Sequence, residues 1–302
     1  MKKRKRVNSS RLKLTLLFVP FLVYIIAFKY VPILGWGISL IRYKVGLQFW
    51  QCEFAGLYYF KMVFRNWDKV LDVLINTFAM SGLGILFSPA PLIFAIFLSE
   101  IPSIRFKKIV QTLTTIPHFV SWIIVYSLAF AIFSTEGVLN SVLLSMRLIE
   151  RPANTLANND IVWIFHALLN MWKGLGWNAI IYFAAISGID SELYEAASID
   201  GAGRLQKILY ITVPGISSTF FTLLLLQISN FLASGLDHYL AFFNSVVADK
   251  IMVLDLYTYR LGITQGDYSY STAVGIMKTF VSIALLFSAN SASRKLRGES
   301  IF

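Results

Sequence analysis

The sequence predicts an all-α, polytopic membrane protein with about six transmembrane helices. Three observations lead there. Hydrophobic residues fill 57% of the 302 positions and charged residues only 14%, whereas soluble domains carry about a quarter of their residues as charges; the mean hydropathy is +0.66. The apolar residues gather in runs that can cross a hydrocarbon core of about 30 Å, which takes roughly 20 residues at a rise of 1.5 Å. Runs of this length suit helices, which satisfy each backbone amide within the segment, rather than the shorter strands of a barrel.

Six such runs are expected at approximately 12–36, 72–98, 109–133, 160–187, 214–235 and 268–290. The first follows the basic stretch "KKRKR". It is longer than a signal-peptide core and no small-x-small cleavage site follows it, so it reads as a span. An even number of spans puts both termini on one side. With the N-terminus inside, inner segments hold about 15 Lys/Arg and the outer loops about 9, which places both ends in the cytoplasm. The predicted organisation is a cytoplasmic basic N-terminus at 1–11, a membrane domain at 12–290 and a cytoplasmic tail at 291–302. The net charge of +11 is then largely an orientation signal, with no nucleic acid implied.

Several chemistries find no residues here. Cys52 is the lone cysteine, and His118, His166 and His238 stand far apart with no ligand spacing, so no metal site is predicted. No Gly-rich phosphate loop and no Gly-x-Ser-x-Gly elbow occurs, and no catalytic residue is assigned. The alternative considered is a membrane-embedded enzyme acting on lipid or polysaccharide. That would need Asp, Glu or His clustered at a membrane face, whereas the carboxylates sit mainly in the 191–214 segment and the outer loops. A scaffold without a transport path is a third reading.

The connections are unequal. Outer loops at about 39–69, 134–160 and 235–267 are long, while one inner connection, "SEIPSIRFKK", is short and the other, following Ser191, is elaborate. In that segment Ser191 offers an N-cap, and Glu192 and Glu195 suit the positive end of the helix dipole. Leu193, Ala196 and Ala197 form a small, smooth face. Gly201 and Gly203 can take left-handed torsions and stop the helix. A second short helix is expected from Arg204 to about Thr212, with Pro214 in the first turn of the next span. These residues fit either a helix lying across the cytoplasmic mouth or an ordinary amphipathic connector.

The spacing Glu195-Ala196-Ala197, three residues, Gly201, nine residues, Ile211-Thr212-Val213-Pro214 resembles the EAA loop of bacterial ABC importer permeases, EAA-x3-G-x9-I-x-L-P, with Val213 in place of Leu. The stretches "NTFAMSGLGILFSPAPLIFAIFLSEI", "QTLTTIPHFVSWIIV", "WKGLGWNAIIYFAAISGID" and "YTYRLGITQGDYSYSTAVGIMKT" are similar to the LplB/YteP branch of polysaccharide importer permeases, within the maltose-type group. That branch includes the larger permease of an alginate importer. The resemblance implies a type I ABC importer permease fold in the bacterial inner membrane and one half of a heterodimeric channel. Its implied partners are a second permease subunit, two cytoplasmic ATPase subunits that bind ATP and Mg, an external solute-binding protein and an oligosaccharide substrate. The chain itself would hold no cofactor. Glu195, Ala196, Ala197, Asp200, Gly201, Gly203 and Pro214 would form the ATPase-coupling segment.

Polar residues inside spans are costly in lipid and face a partner or a cavity. In the fourth span Asn170, Lys173, Gly174 and Trp177 fall at i, i+3, i+4 and i+7 and share a helical face; in the fifth, Gln227, Asn230 and Ser234 do the same. Amides that bond hydroxyls and a ring that packs on a sugar face are the groups a glycan needs. The resemblance supports this placement, since maltose-type permeases draw sugar contacts from the two helices flanking the EAA loop. Hydrogen bonding between helices would use the same residues. Lys173 calls for an anion or a wet cavity, and a uronate carboxylate would serve. Gly174 and Gly176 are expected to interrupt the helix and expose backbone groups.

Overall fold

The computed structural model describes residues 9–297. The basic run Lys2–Arg6 and the tail beyond Arg297 lie outside the described residues, within which regular structure is helical apart from one bridge pairing Ile41 with Phe54. The chain divides into two compact units: residues up to Trp67 with Thr258–Met277, and Asp68–Tyr257 with the residues from Lys278 onward.

In the first unit, α1 (Ser9–Ile25) continues through a π-helical turn, Ile26–Tyr30, into a 3-10 stretch, Val31–Leu40. Residues 14–34 are all exposed, which suits apolar side chains whose surroundings are hydrocarbon. The following loop folds on itself: Arg42 N donates to Glu53 O at 2.8 Å and Ala55 N to Leu40 O at 2.8 Å. α2 (Tyr58–Arg65) follows. Buried Ser269 ties the loop down, donating from Oγ to Ile41 O at 2.7 Å and accepting from Tyr43 N at 3.1 Å.

In the second unit, two predicted single spans prove to be broken helices. The run expected at 72–98 consists of α3 (Trp67–Leu86) and α4 (Pro89–Ser99), parted at Phe87 and Ser88. Pro89 and Pro91, which lack N–H groups, sit in the first turn of α4, where no donor is needed. The run expected at 109–133 consists of α5 (Ile104–Phe119) and α6 (Trp122–Phe133). Val120 and Ser121 between them are extended, and the Ser121 hydroxyl accepts from Ile124 N to cap α6. α7 (Val138–Ser145) follows.

α8 (Val162–Ser187) packs against α4, α5, α11 (Val213–Ser229) and α13 (Ala248–Ile251). It runs unbroken through Gly174 and Gly176, contrary to the expected interruption. Gly176 serves close packing instead: a Cβ there would lie 2.4 Å from the carbonyl oxygen of Thr114 on α5. Buried Ala95 and Ala179 let α4 approach in the same way. α9 (Ser191–Ile199) and α10 (Arg204–Lys207) lead into α11.

α11 ends at Ser229, short of the expected 235, because Asn230 folds its side chain back onto Leu226 O at 3.0 Å and Gly235 takes a φ of +86°. The segment that follows, expected as an outer loop, is a packed cap. α12 (Leu236–Phe242), α13 with its N-cap Val247, and α14 (Leu254–Tyr259) contribute Tyr239, Phe242, Val247, Ile251 and Leu256 to a core shared with Met80, Val125 and Val162. α3 holds the cap by polar contacts. Asn76 Nδ2 donates to Asp249 O at 2.7 Å, and Thr77 Oγ1 accepts from Leu254 N at 2.9 Å. α15 (Tyr268–Arg297) closes the chain, extending past the predicted end at 290.

Five helical runs among the described residues are long and apolar enough to cross a membrane by length and composition: Leu14–Leu40, Trp67–Ser99, Trp122–Ser145, Arg204–Ser229 and Tyr268–Ser291. α8 matches them in length with 26 residues, while carrying Asn170, Lys173 and Asn178 among its apolar positions. Together they agree with the predicted count of about six.

Candidate functional site

The segment after α8 is a capped hairpin. Asp190, not Ser191, is the N-cap of α9, its carboxylate accepting from Glu192 N at 3.0 Å. The other end closes in a Schellman motif: Ala202 N donates to Ala197 O at 2.8 Å and Gly201 N to Ser198 O at 3.2 Å. Gly201 takes the left-handed φ of +78° that the motif requires. Gly203 does not; it has φ −73° and caps α10, with Gln206 Oε1 accepting from its N–H at 2.8 Å.

The expected separate helix ending before Pro214 is absent. α10 passes through a π-helical turn, Ile208–Thr212, straight into α11, and Pro214 sits in the first turn of that last segment. Hairpin and span are therefore one rod. Tyr194 Oη and Thr212 Oγ1 bond at 2.9 Å, and Lys207 Nζ donates to Ser198 Oγ at 2.6 Å, so α9 is held against its base. Glu195, Ala196, Asp200 and Gly201 are exposed, with Leu193 and Ile199 beside them, the latter 87% exposed. Apolar side chains this bare on a polar hairpin mark a surface made to be covered.

Toward the other end of the rod lies a cavity of about 300 Å³ between α3, α4, α8 and α11. Its polar lining comes from Ser88, Asn170, Asn178 and Gln227, and its apolar lining includes Phe87, Tyr182 and Phe220. Amide groups facing aromatic rings across a space of this size can bond hydroxyls and pack on an apolar ring face. Asn170 and Gln227, singled out from the sequence, meet here. Asn178 and Ser88 were missed. Asn178 lies two turns from Asn170 on the same face, a spacing visible in the sequence, whereas Ser88 reaches the cavity because of the α3–α4 break.

The remaining predicted residues lie elsewhere. Lys173 and Trp177 turn toward α5. Lys173 is 8% exposed, and its Nζ donates to His118 O at 2.6 Å; Trp177 stacks on the His118 ring with centroids 4.4 Å apart and planes 1° from parallel. Gly174 packs beside Asn178 on α8 itself. Asn230 caps α11. Ser234 is beyond the helix, so it shares no helical face with Gln227; its backbone N–H donates to Asp255 Oδ2 at 2.9 Å, while its buried Oγ has no partner among the described residues. Asp255 also pairs with Lys278 on α15. The fold brings together His166 and His238, 72 positions apart, with Nδ1 and Nε2 separated by 3.0 Å. Among the described residues no group of three or more His, Cys, Asp or Glu could hold a metal ion.

A family model described as the binding-protein-dependent transport system inner membrane component matches residues 88–297. The chain belongs to that family. This permease is 40% identical over 291 residues to Protein LplB of Bacillus subtilis (strain 168), with 96% of this chain and 91% of LplB covered. It is 38% identical over 304 residues to the polygalacturonan/rhamnogalacturonan transport system permease protein YteP of the same organism, covering 99% and 94%. The crystal structure of a bacterial alginate ABC transporter in complex with alginate pentasaccharide-bound periplasmic protein matches with a TM-score of 0.85 at 30% identity, over 95% of this chain and 96% of that one. The all-α permease fold and the resemblance to the LplB/YteP branch thus hold. The enzyme alternative draws no support from these relatives.

Proposed function

We propose that this permease forms half of the translocation channel of an ATP-driven importer of oligosaccharides or polysaccharides, acidic glycans of the alginate type among them. The observation that carries the reading is the continuous rod: one helical run, Arg204–Ser229, has the exposed α9 hairpin at its base and Gln227 at the cavity. A push on α9 is delivered to the groups that would touch sugar. The acidic character of the glycan rests on the similarity to the polygalacturonan and alginate systems, not on Lys173, whose ammonium is engaged within the chain.

The partners follow from this reading. A second permease supplies the other half of the channel. Two cytoplasmic ATPase subunits bind ATP and Mg and seat the hairpin, so the chain supplies no cofactor site of its own. An external solute-binding protein delivers the glycan to the outer face, and both termini lie in the cytoplasm. Closure of the ATPase pair on ATP would draw the hairpins together and tip the spans from inward-open to outward-open.

Purification from native membrane in mild detergent, with mass spectrometry of what accompanies the chain, tests this assembly. An ATPase, a second permease and a solute-binding protein are the expected companions. Recovery of the chain alone or with biosynthetic enzymes would refute it.

A further inference from the structure

Lys173 lies deep in α8, yet its ammonium finds partners inside the chain, and both exist because of the α5–α6 break. A helix end leaves its last carbonyls without donors and carries the negative end of the dipole. His118 is in the last turn of α5, and its carbonyl accepts from Lys173 Nζ at 2.6 Å. Trp122 opens α6, and its ring lies 5.3 Å from the same nitrogen. One side chain thus touches both sides of the break. The next turn of α8 fixes the register: Gly176 admits the Thr114 backbone, and Trp177 stacks on His118. The other face of α8 carries Asn170 and Asn178 to the cavity.

We propose that Lys173 is a positioning residue whose ammonium locks the α5–α6 break against α8, so that the cavity face of α8 is held in place, and that the transported glycan does not read its charge. The column continues outward. The far partner of Trp122 is His238 on α12, stacked at 3.7 Å and 7°, so the lock extends from the middle of α8 to the outer cap. This inference rests on the transport reading above, and its test is built to fail separately.

The test uses the assembled importer in proteoliposomes, with an oligouronate and its carboxyl-reduced neutral counterpart as probes. Hydrogen exchange is followed at the amides of Val120, Ile124 and Val125, which bond within the break. Lys173→Met is expected to speed exchange there about tenfold, the scale of losing a charge-assisted hydrogen bond, and to lower uptake. Lys173→Arg restores both. Where Lys173→Met fails to assemble, Lys173→Gln, an uncharged donor, takes its place. Unchanged exchange with loss of oligouronate uptake would assign the charge to the substrate and overturn the proposal. Faster exchange with full uptake would overturn it too. A wild-type importer that moves neither glycan would defeat the substrate reading alone, leaving exchange to decide the lock.

Discussion

Tyr194 Oη and Thr212 Oγ1 lie 2.9 Å apart, joining the middle of α9 to the π-helical turn at the base of α11. Thr212 is buried and Tyr194 partly so, so this bond is shielded from water. Tyr194→Phe should cost about 1 kcal/mol of stability and, by loosening the hairpin from its rod, lower sugar uptake per ATP hydrolysed. Paired ATPase and uptake assays on the reconstituted importer measure the ratio. An unchanged ratio would mean that helix continuity alone carries the motion.

Gly201 offers a cleaner separation of backbone from contact. Nothing lies within 4 Å of a Cβ built there, yet φ is +78°, so a substitution is penalised by conformation and not by collision. Gly201→Val should cost about 1–2 kcal/mol and uncouple ATP hydrolysis from uptake. Gly201→Asn, a residue that tolerates the left-handed region, should keep most of the coupling. Equal behaviour of the two variants would remove the Schellman turn from the mechanism.

At Gly176 the conflict is steric. Its added Cβ would meet the Thr114 backbone, which cannot swing aside, whereas at Gly174 it would meet only the Asn178 amide at 3.1 Å. Gly176→Ala should destabilise the protein by about 1–3 kcal/mol and Gly174→Ala much less. Thermal unfolding of the two purified variants decides, and a larger loss at Gly174 would contradict the α5–α8 packing.

Sugar contacts are tested at the cavity. Asn170→Ala, Asn178→Ala and Gln227→Ala should each raise the half-saturating glycan concentration about five- to tenfold, the value of one hydrogen bond to a hydroxyl, with ATPase coupling kept. Asn230→Ala should act mainly on stability, since Asn230 caps α11. Uptake curves over a range of glycan concentrations distinguish the two effects.

The pair of Asp255 and Lys278 makes a fifth point of attack. Their side chains are only about a fifth exposed, and Asp255 also accepts from Ser234 N and Gly235 N. Removing one partner leaves a charge in poor surroundings: Asp255→Ala should cost about 3 kcal/mol, and Asp255→Ala with Lys278→Met distinctly less. A double-mutant cycle by thermal unfolding gives the coupling, and a strictly additive result would show the pair to be dispensable.

How much of this was legible in the sequence depends on the distance over which each feature is decided. The α9 hairpin is local. Glu195 to Pro214 announced it, and the structure moved the cap by one residue, kept Gly203 out of the left-handed region and put the π turn in the place of a helix end. The face shared by Asn170, Lys173 and Trp177 was legible as periodicity, but not the direction each side chain turns. That direction depends on His118, 55 positions upstream, and on a helix break that an apolar run with Pro117 in it does not advertise. Ser234 was misplaced because "FLAS" continues the hydrophobic run, while the chain leaves the helix where Asn230 caps it and Asp255, in a distant segment, takes up the amides of Ser234 and Gly235. His166 and His238 carry no signal until the fold brings their ring nitrogens within 3.0 Å of each other.

The wide turn at Ile208–Thr212 gives the rod a phase as well as a length. It absorbs about one residue more than α-helical winding would, and one residue is about 100° of azimuth and about 1.5 Å of rise. Were the turn to wind tight, all of α11 would advance like a screw, and Gln227 would rotate away from Asn170. The angular setting of the cavity is therefore written at the foot of the helix, beside Tyr194. Deleting a residue inside the turn should be absorbed with the setting preserved, whereas deleting one higher up, between Leu223 and Leu226, should swing the end of α11 out of alignment.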